Sequence, residues 1–124
     1  MVDRQRTVLV VDDDPVILRL LEVNFEMEGF VVRTAVDGQD GCDVARAEAP
    51  DVIVSDVMMP RMNGLELVAA LKGDPATAGI PILLLSAKAQ ADDVRSGLAA
   101  GADDYVTKPF EPHDLVDRVT KLLS

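Results

Sequence analysis

The chain has 124 residues, is 48% hydrophobic and carries a formal charge of −10. That length suits one domain with a sizeable core, and the negative balance argues against binding nucleic acid phosphates or anionic lipid while favouring basic partners or a metal ion. No apolar run is long enough to span a bilayer, the N-terminus MVDRQRT lacks a signal-peptide core, and lone Cys42 can form no internal disulfide, so a cytoplasmic location is expected.

Five short apolar runs recur: Val8 to Val11, Val31 to Ala35, Asp51 to Ser55, Pro81 to Ala87, and Asp104 to Thr107. Those at Val8, Asp51 and Pro81 are almost uniformly apolar, as strands buried on both faces are. Stretches with helical spacing lie between them, such as Ile17, Leu20, Leu21 and Phe25, then Leu65, Val68 and Leu71, then Leu115, Val119 and Leu122. The first helix is expected over Pro15 to Glu28: Asp14 is the N-cap, Pro15 opens the helix and Gly29 stops it. Repeated βα alternation predicts an α/β fold, a doubly wound five-stranded parallel sheet of flavodoxin-like (βα)5 type in the order 2-1-3-4-5. Residues 1–124 are read as one domain, with the last helix running almost to Ser124 and no output domain attached.

Such sheets bind ligands at the carboxyl ends of their strands, beside the switch point between strands one and three. Asp12 and Asp13 follow the first run, Asp56 the third, Ser86 lies at the end of the fourth and Lys108 follows the fifth. Each has an ordinary reading as a turn residue, cap or solvated charge, and Asp14 is assigned that capping role alone. Agreement among four strand ends points instead to a site. Three converging carboxylates repel one another and call for a hard cation, with Mg²⁺ preferred and Mn²⁺ possible. Mutual repulsion also predicts that neutralising Asp13 stabilises the metal-free protein. Asp56 can attack phosphorus as a carboxylate nucleophile, with Lys108 tolerating the added charge and the Ser86 hydroxyl donating to the new group.

VLVVDDDP, VSDVMMPRMNG, LLLSA and GADDYVTKPF together resemble the motifs of response-regulator receiver domains (CheY-like), the phosphoacceptor modules of two-component signalling. The resemblance covers nearly the whole chain. It implies that Asp56 is the phosphoacceptor, that Asp12 and Asp13 hold Mg²⁺ with Asp56 and the Met58 backbone carbonyl, and that Ser86 and Lys108 are switch residues. It further implies that Tyr105 is the aromatic rotamer switch, that Lys108–Pro109 is cis, and that Met58 and Ala87 influence the lifetime of the phosphorylated state. The implied donor is a sensor histidine kinase or histidine phosphotransfer protein, or a small acyl phosphate. The implied output face is formed by helix four, strand five and helix five, turned toward a downstream protein that the sequence does not name.

Membership of a larger DNA-binding regulator or hybrid kinase is the alternative organisation. A magnesium-dependent phosphatase with an Asp nucleophile is a distant alternative, since Asp56 is followed by Val57 and Met58 and lacks a second acid two residues on. Dimerisation through the face just described is not expected. Asp104 and Arg118 retain one ion-pair position of that mode, whereas Val94 and Ala99 occupy others.

Overall fold

A computed structural model describes residues 5–88 and 90–123. Residues 1–4, the start of the N-terminal stretch expected to carry no signal peptide, lie outside them, as do residue 89 and Ser124. Five strands, β1 (Thr7–Val11), β2 (Val31–Ala35), β3 (Val52–Asp56), β4 (Ile82–Ser86) and β5 (Asp104–Thr107), alternate with five helices, α1 (Pro15–Met27), α2 (Gly38–Glu48), α3 (Gly64–Lys72), α4 (Ala91–Ala99) and α5 (Pro112–Leu122). All four strand pairings are parallel, in the order β2-β1-β3-β4-β5. The expected architecture is therefore the observed one.

Boundaries differ slightly, for local reasons. Asp51 stays out of β3 because its carboxylate accepts the Thr7 N–H at 2.8 Å, while β3 runs on to include Asp56 itself. The first helix ends at Met27 rather than Glu28, which caps it, and Gly29 takes the left-handed φ of +91° that lets the chain turn into β2. At the other end Asp14 accepts the Val16 N–H at 2.9 Å, the N-cap expected of it.

Strand periodicity divides the core into two layers. Leu9, Val11, Ile53, Ile82 and Leu84 face α2 and α3, meeting Cys42, Ala45, Leu67, Val68 and Leu71. Val8, Val10, Val52, Val54, Leu83 and Leu85 face α1 and α5, meeting Leu21, Phe25, Leu115, Val116 and Val119. Each fully buried aliphatic or Phe side chain contributes about 1.5–3 kcal/mol of apolar transfer. The Phe25 and Phe30 rings meet edge to face at 5.3 Å, closing the second layer beneath α1. Helix α4 is the exception, since Gly97 is its one buried residue among those described. Both faces of β3 and β4 are thus covered, and every residue of the two strands is buried.

Candidate functional site

The site is assembled from strand ends. Asp12 follows β1, with its N–H bonded to the Ala35 carbonyl at 3.1 Å and its Oδ1 accepting the Asp14 N–H at 2.9 Å. Asp56 closes β3 opposite Leu85, and Ser86 sits one position further along β4. The Lys108 N–H donates to the Ser86 carbonyl at 2.7 Å, so the end of β4 fixes where the lysine leaves the sheet. The Lys108–Pro109 bond is cis.

Carboxylate oxygens of Asp12, Asp13 and Asp56 all lie within 4.8 Å of one another. Their surroundings differ: Asp12 is 1% and Asp56 6% exposed, whereas Asp13 is open to solvent. Lys108 Nζ stands 3.5 Å from Asp12 Oδ2 and 3.5 Å from Asp56 Oδ1, at the outer limit of hydrogen-bond distance. Asp12 Oδ2 has no hydrogen-bond partner, a costly condition for a buried carboxylate oxygen.

The electrostatics follow from that burial. Desolvation, reinforced by the charge of Asp12, pushes the Asp56 carboxyl from the usual 3.8 up to about 6, against the opposing pull of Lys108 and the Met58 backbone amide. Desolvation likewise raises Asp12, opposed by the Asp14 amide and Lys108. Burial therefore leads repulsion at Asp56, and exposed Asp13 is the acid least desolvated. The charge of Asp13 is itself among the causes that raise Asp12, so the stabilisation expected on neutralising Asp13 stands beside a larger one expected at Asp56.

Hard oxygen donors, an unsatisfied buried carboxylate oxygen and a depressed tendency of Asp56 to ionise together fit a divalent cation such as Mg²⁺. Met58, second in the β3–α3 loop after Val57, is 55% exposed, with its backbone amide beside Asp56.

Ser86 is fully buried, and its Oγ accepts the Lys88 N–H at 3.0 Å, which leaves its own O–H to be donated. Ala87, the next residue, is exposed. Tyr105, on the edge strand β5, is nevertheless 8% exposed, belongs to the first core layer, and donates its phenol to the Lys88 carbonyl at 2.8 Å. Ser86 and Tyr105 thus hold the two backbone groups of one residue in the β4–α4 loop. The room for the ring comes from Gly97, where a Cβ would stand 2.7 Å from Tyr105 Cδ2.

Gly97→Ala is expected to destabilise the chain by about 1–2 kcal/mol, because a helix-interior gain of about 1 kcal/mol offsets only part of the overpacking and of the lost Tyr105 contacts, while forcing the ring outward and releasing the Lys88 carbonyl. Tyr105 is the sole tyrosine in a chain without tryptophan, so tyrosine fluorescence reads it directly. An unaltered ring environment in that variant would contradict the packing argument.

Asp104 and Arg118 are joined within the chain, at 3.3 Å. Two features at the site were invisible in the sequence reading: the slot at Gly97, and a buried Asp37 paired with Arg61 of the β3–α3 loop at 2.6 Å. An acid before a glycine signals a helix cap, but nothing in the chain announces a partner so far along it.

The chain matches the family model described as response regulator receiver domain over residues 8–120. It is 44% identical to the DNA-binding response regulator MtrA of Mycolicibacterium smegmatis over 116 residues, covering 94% of this chain and 49% of that protein. It is 43% identical to the alkaline phosphatase synthesis transcriptional regulatory protein PhoP of Bacillus subtilis over 118 residues, covering 95% of this chain and 48% of that one. The chain thus spans about half the length of these relatives. Among solved structures, chemotaxis protein CheY4 of Vibrio cholerae superposes with a TM-score of 0.91 at 33% identity, covering 97% of this chain and all, 100%, of that one. The Francisella response regulator 1452 receiver domain gives 0.90 at 35% identity, with 96% and 97% covered.

Proposed function

The chain belongs to the response regulator receiver domain family, and from that membership we propose that Asp56 accepts a phosphoryl group from the phosphohistidine of a sensor histidine kinase or histidine phosphotransfer protein, or from a small acyl phosphate. The observation that carries this reading is the position of Asp56: at a strand end, 6% exposed, 3.5 Å from Lys108 and clustered with Asp12 and Asp13.

A pKa of about 6 leaves Asp56 mostly ionised at neutral pH, so a carboxylate lone pair is available to form the O–P bond as the donor's N–P or O–P bond breaks. Lys108, already shared between two carboxylates, can transfer its charge to a phosphoryl oxygen without leaving its place. Asp12, Asp13, Asp56 and the Met58 carbonyl would hold Mg²⁺ or Mn²⁺, which when bound supplies charge neutralisation for the phosphoryl oxygens. Ser86 would donate its O–H to the acyl phosphate, which competes with its present acceptance from Lys88 and so acts on the loop that Tyr105 also holds. Phosphorylation would then bias the face of α4, β5 and α5 between two arrangements, and hydrolysis would reset it, at a rate that Met58 and Ala87 would influence.

Receiver domains are signalling domains rather than conventional enzymes; self-catalysed phosphorylation and dephosphorylation are part of this proposal. So are a single functional unit over 1–124, a cytoplasmic setting, and a downstream partner that is a protein rather than nucleic acid. Among the described residues no helix is long and apolar enough to cross a membrane.

A second organisation, a receiver within a longer regulator, is favoured by one observation: the chain covers about half of relatives whose names describe transcriptional or DNA-binding regulators. It leaves the chemistry of the site unchanged. The phosphatase alternative finds no support at Met58, the position where a second acid would be needed.

Intact mass after acetyl phosphate tests the proposal. The wild type should gain one phosphoryl group only when Mg²⁺ is present, and Asp56→Asn should gain none. Labelling of that variant at the wild-type level would place the nucleophile elsewhere.

A further inference from the structure

Between β3 and α3 the chain makes a loop whose ends are closely joined: the Gly64 N–H donates to the Val57 carbonyl at 2.9 Å, and a Cβ on Gly64 would stand 2.4 Å from the Asp56 carbonyl oxygen. The far side of this loop rests on the start of α2. Arg61 Nε and Nη2 reach Asp37 Oδ2 at 2.8 and 2.6 Å, while Asp37 Oδ1 accepts the Asp40 N–H at 2.8 Å. One carboxylate therefore caps α2 with one oxygen and holds the loop with the other. Alongside it the Gly38 N–H donates to the Met62 carbonyl at 3.0 Å, and a Cβ on Gly38 would lie 2.1 Å from that oxygen.

Two properties set this ion pair apart from the pairs on the outer helices. The Asp37 side chain is 8% exposed, whereas the acids of Arg33–Glu48 and Arg46–Asp74 keep side-chain exposures of 42% and 30%. Arg61 also sits at φ +66°, the left-handed region that a residue with a Cβ enters only at a cost, and which persists where surrounding contacts hold it. Arg61 is thus the centre of a tight turn, closed by the Met62 N–H donating to the Pro60 carbonyl at 2.7 Å, whose guanidinium is held by a buried acid. The segment it anchors includes Met58, whose amide lies beside the Asp56 carboxylate.

We propose that Arg61 is a positioning residue: through Asp37 it fixes the β3–α3 loop so that the Met58 backbone stays in place against Asp56. The inference rests on the metal and phosphoryl chemistry proposed above. The pair does not touch the reacting groups, so its effect is on how well the loop is preorganised for the cation rather than on the transfer itself.

Titration calorimetry with MgCl₂, amide hydrogen exchange at Gly38 without metal, and acetyl phosphate labelling across a Mg²⁺ series test it. Arg61→Ala should weaken Mg²⁺ binding by about 3- to 10-fold, less than loss of a group bonded directly to a metal ligand. It should also speed exchange at Gly38 and raise the half-saturating Mg²⁺ for labelling with the plateau rate unchanged. Arg61→Lys should recover part of the affinity, since it keeps the charge but not the two-point contact. Arg61→Gly, which frees the backbone but lacks the guanidinium, should bind as weakly as Arg61→Ala. Arg46→Ala, which breaks a comparable pair at the other end of α2, should bind Mg²⁺ as the wild type does. Wild-type affinity in Arg61→Ala, or a loss equal in Arg46→Ala, would overturn the positioning role. Failure of the wild type itself to bind Mg²⁺ or to label would overturn the underlying reading instead.

Discussion

Asp56→Asn is expected to be more stable than the wild type in EDTA at pH 7.5, by about 1–3 kcal/mol, with a melting temperature higher by roughly 5–10 °C. The carboxyl is raised from 3.8 to about 6, chiefly because burial disfavours its charge. A raised acid binds more protons in the folded chain than in the unfolded one between those two values. The metal-free wild type should therefore lose stability as pH rises from about 4 to about 6, with the full cost present above that window. Asn resembles the protonated acid and should remove most of this descent.

Asp12, raised for the same leading reason, contributes in the same direction and leaves a residual slope in the variant. Asp37 and Asp74 run the opposite way: hydrogen bonds from backbone amides lower both, so their stabilisation is present above 3.8 and is lost only as pH falls further. The two windows do not overlap, and a pH series of thermal melts separates them. A variant that melts below the wild type at pH 7.5, or keeps the full descent between pH 4 and 6, would show that Asp56 is not a desolvated carboxylate. Millimolar Mg²⁺ should reverse the ranking, since it stabilises a folded chain that retains the acid by mass action.

This cost of holding a site ready for charge was only partly legible in the sequence. Asp12, Asp56, Ser86 and Lys108 could be placed because strand periodicity and βα alternation locate strand ends, and parallel crossovers bring those ends together. What the pattern could not supply was burial. Asp12 and Asp13 are neighbours in the chain, yet one is enclosed and the other open, because alternate residues leave a strand end in different directions. The inward Tyr105 escaped for a related reason, as it depends on a missing side chain at Gly97, eight residues earlier on a helix that buries little else. Nothing in the sequence pairs Arg61 with Asp37, and only the packing of the β3–α3 loop on α2 joins them.

Lys108→Ala carries the largest expected loss. It removes the cation 3.5 Å from both buried carboxylates, so at pH 8 the metal-free protein should lose about 1–3 kcal/mol, below the full cost of breaking a buried pair because the lysine side chain is 24% exposed. Lys108 lowers the Asp56 carboxyl, and its removal should therefore raise that carboxyl above its present value of about 6. Near pH 5 Asp56 is largely protonated in either protein, and the penalty should shrink to the part owed to Asp12. In the Asp56→Asn background it should shrink in the same way at every pH. Denaturant unfolding of the four proteins at pH 5 and pH 8 gives the coupling directly, and equal penalties at both pH values would mean that the ammonium faces neither acid. The same geometry explains why the loss extends to phosphoryl transfer: the charge that Asp56 shares at rest is the one a phosphoryl oxygen would meet. Lys108→Ala should therefore slow labelling by acetyl phosphate even at saturating Mg²⁺, whereas Arg61→Ala, acting on the loop alone, should not.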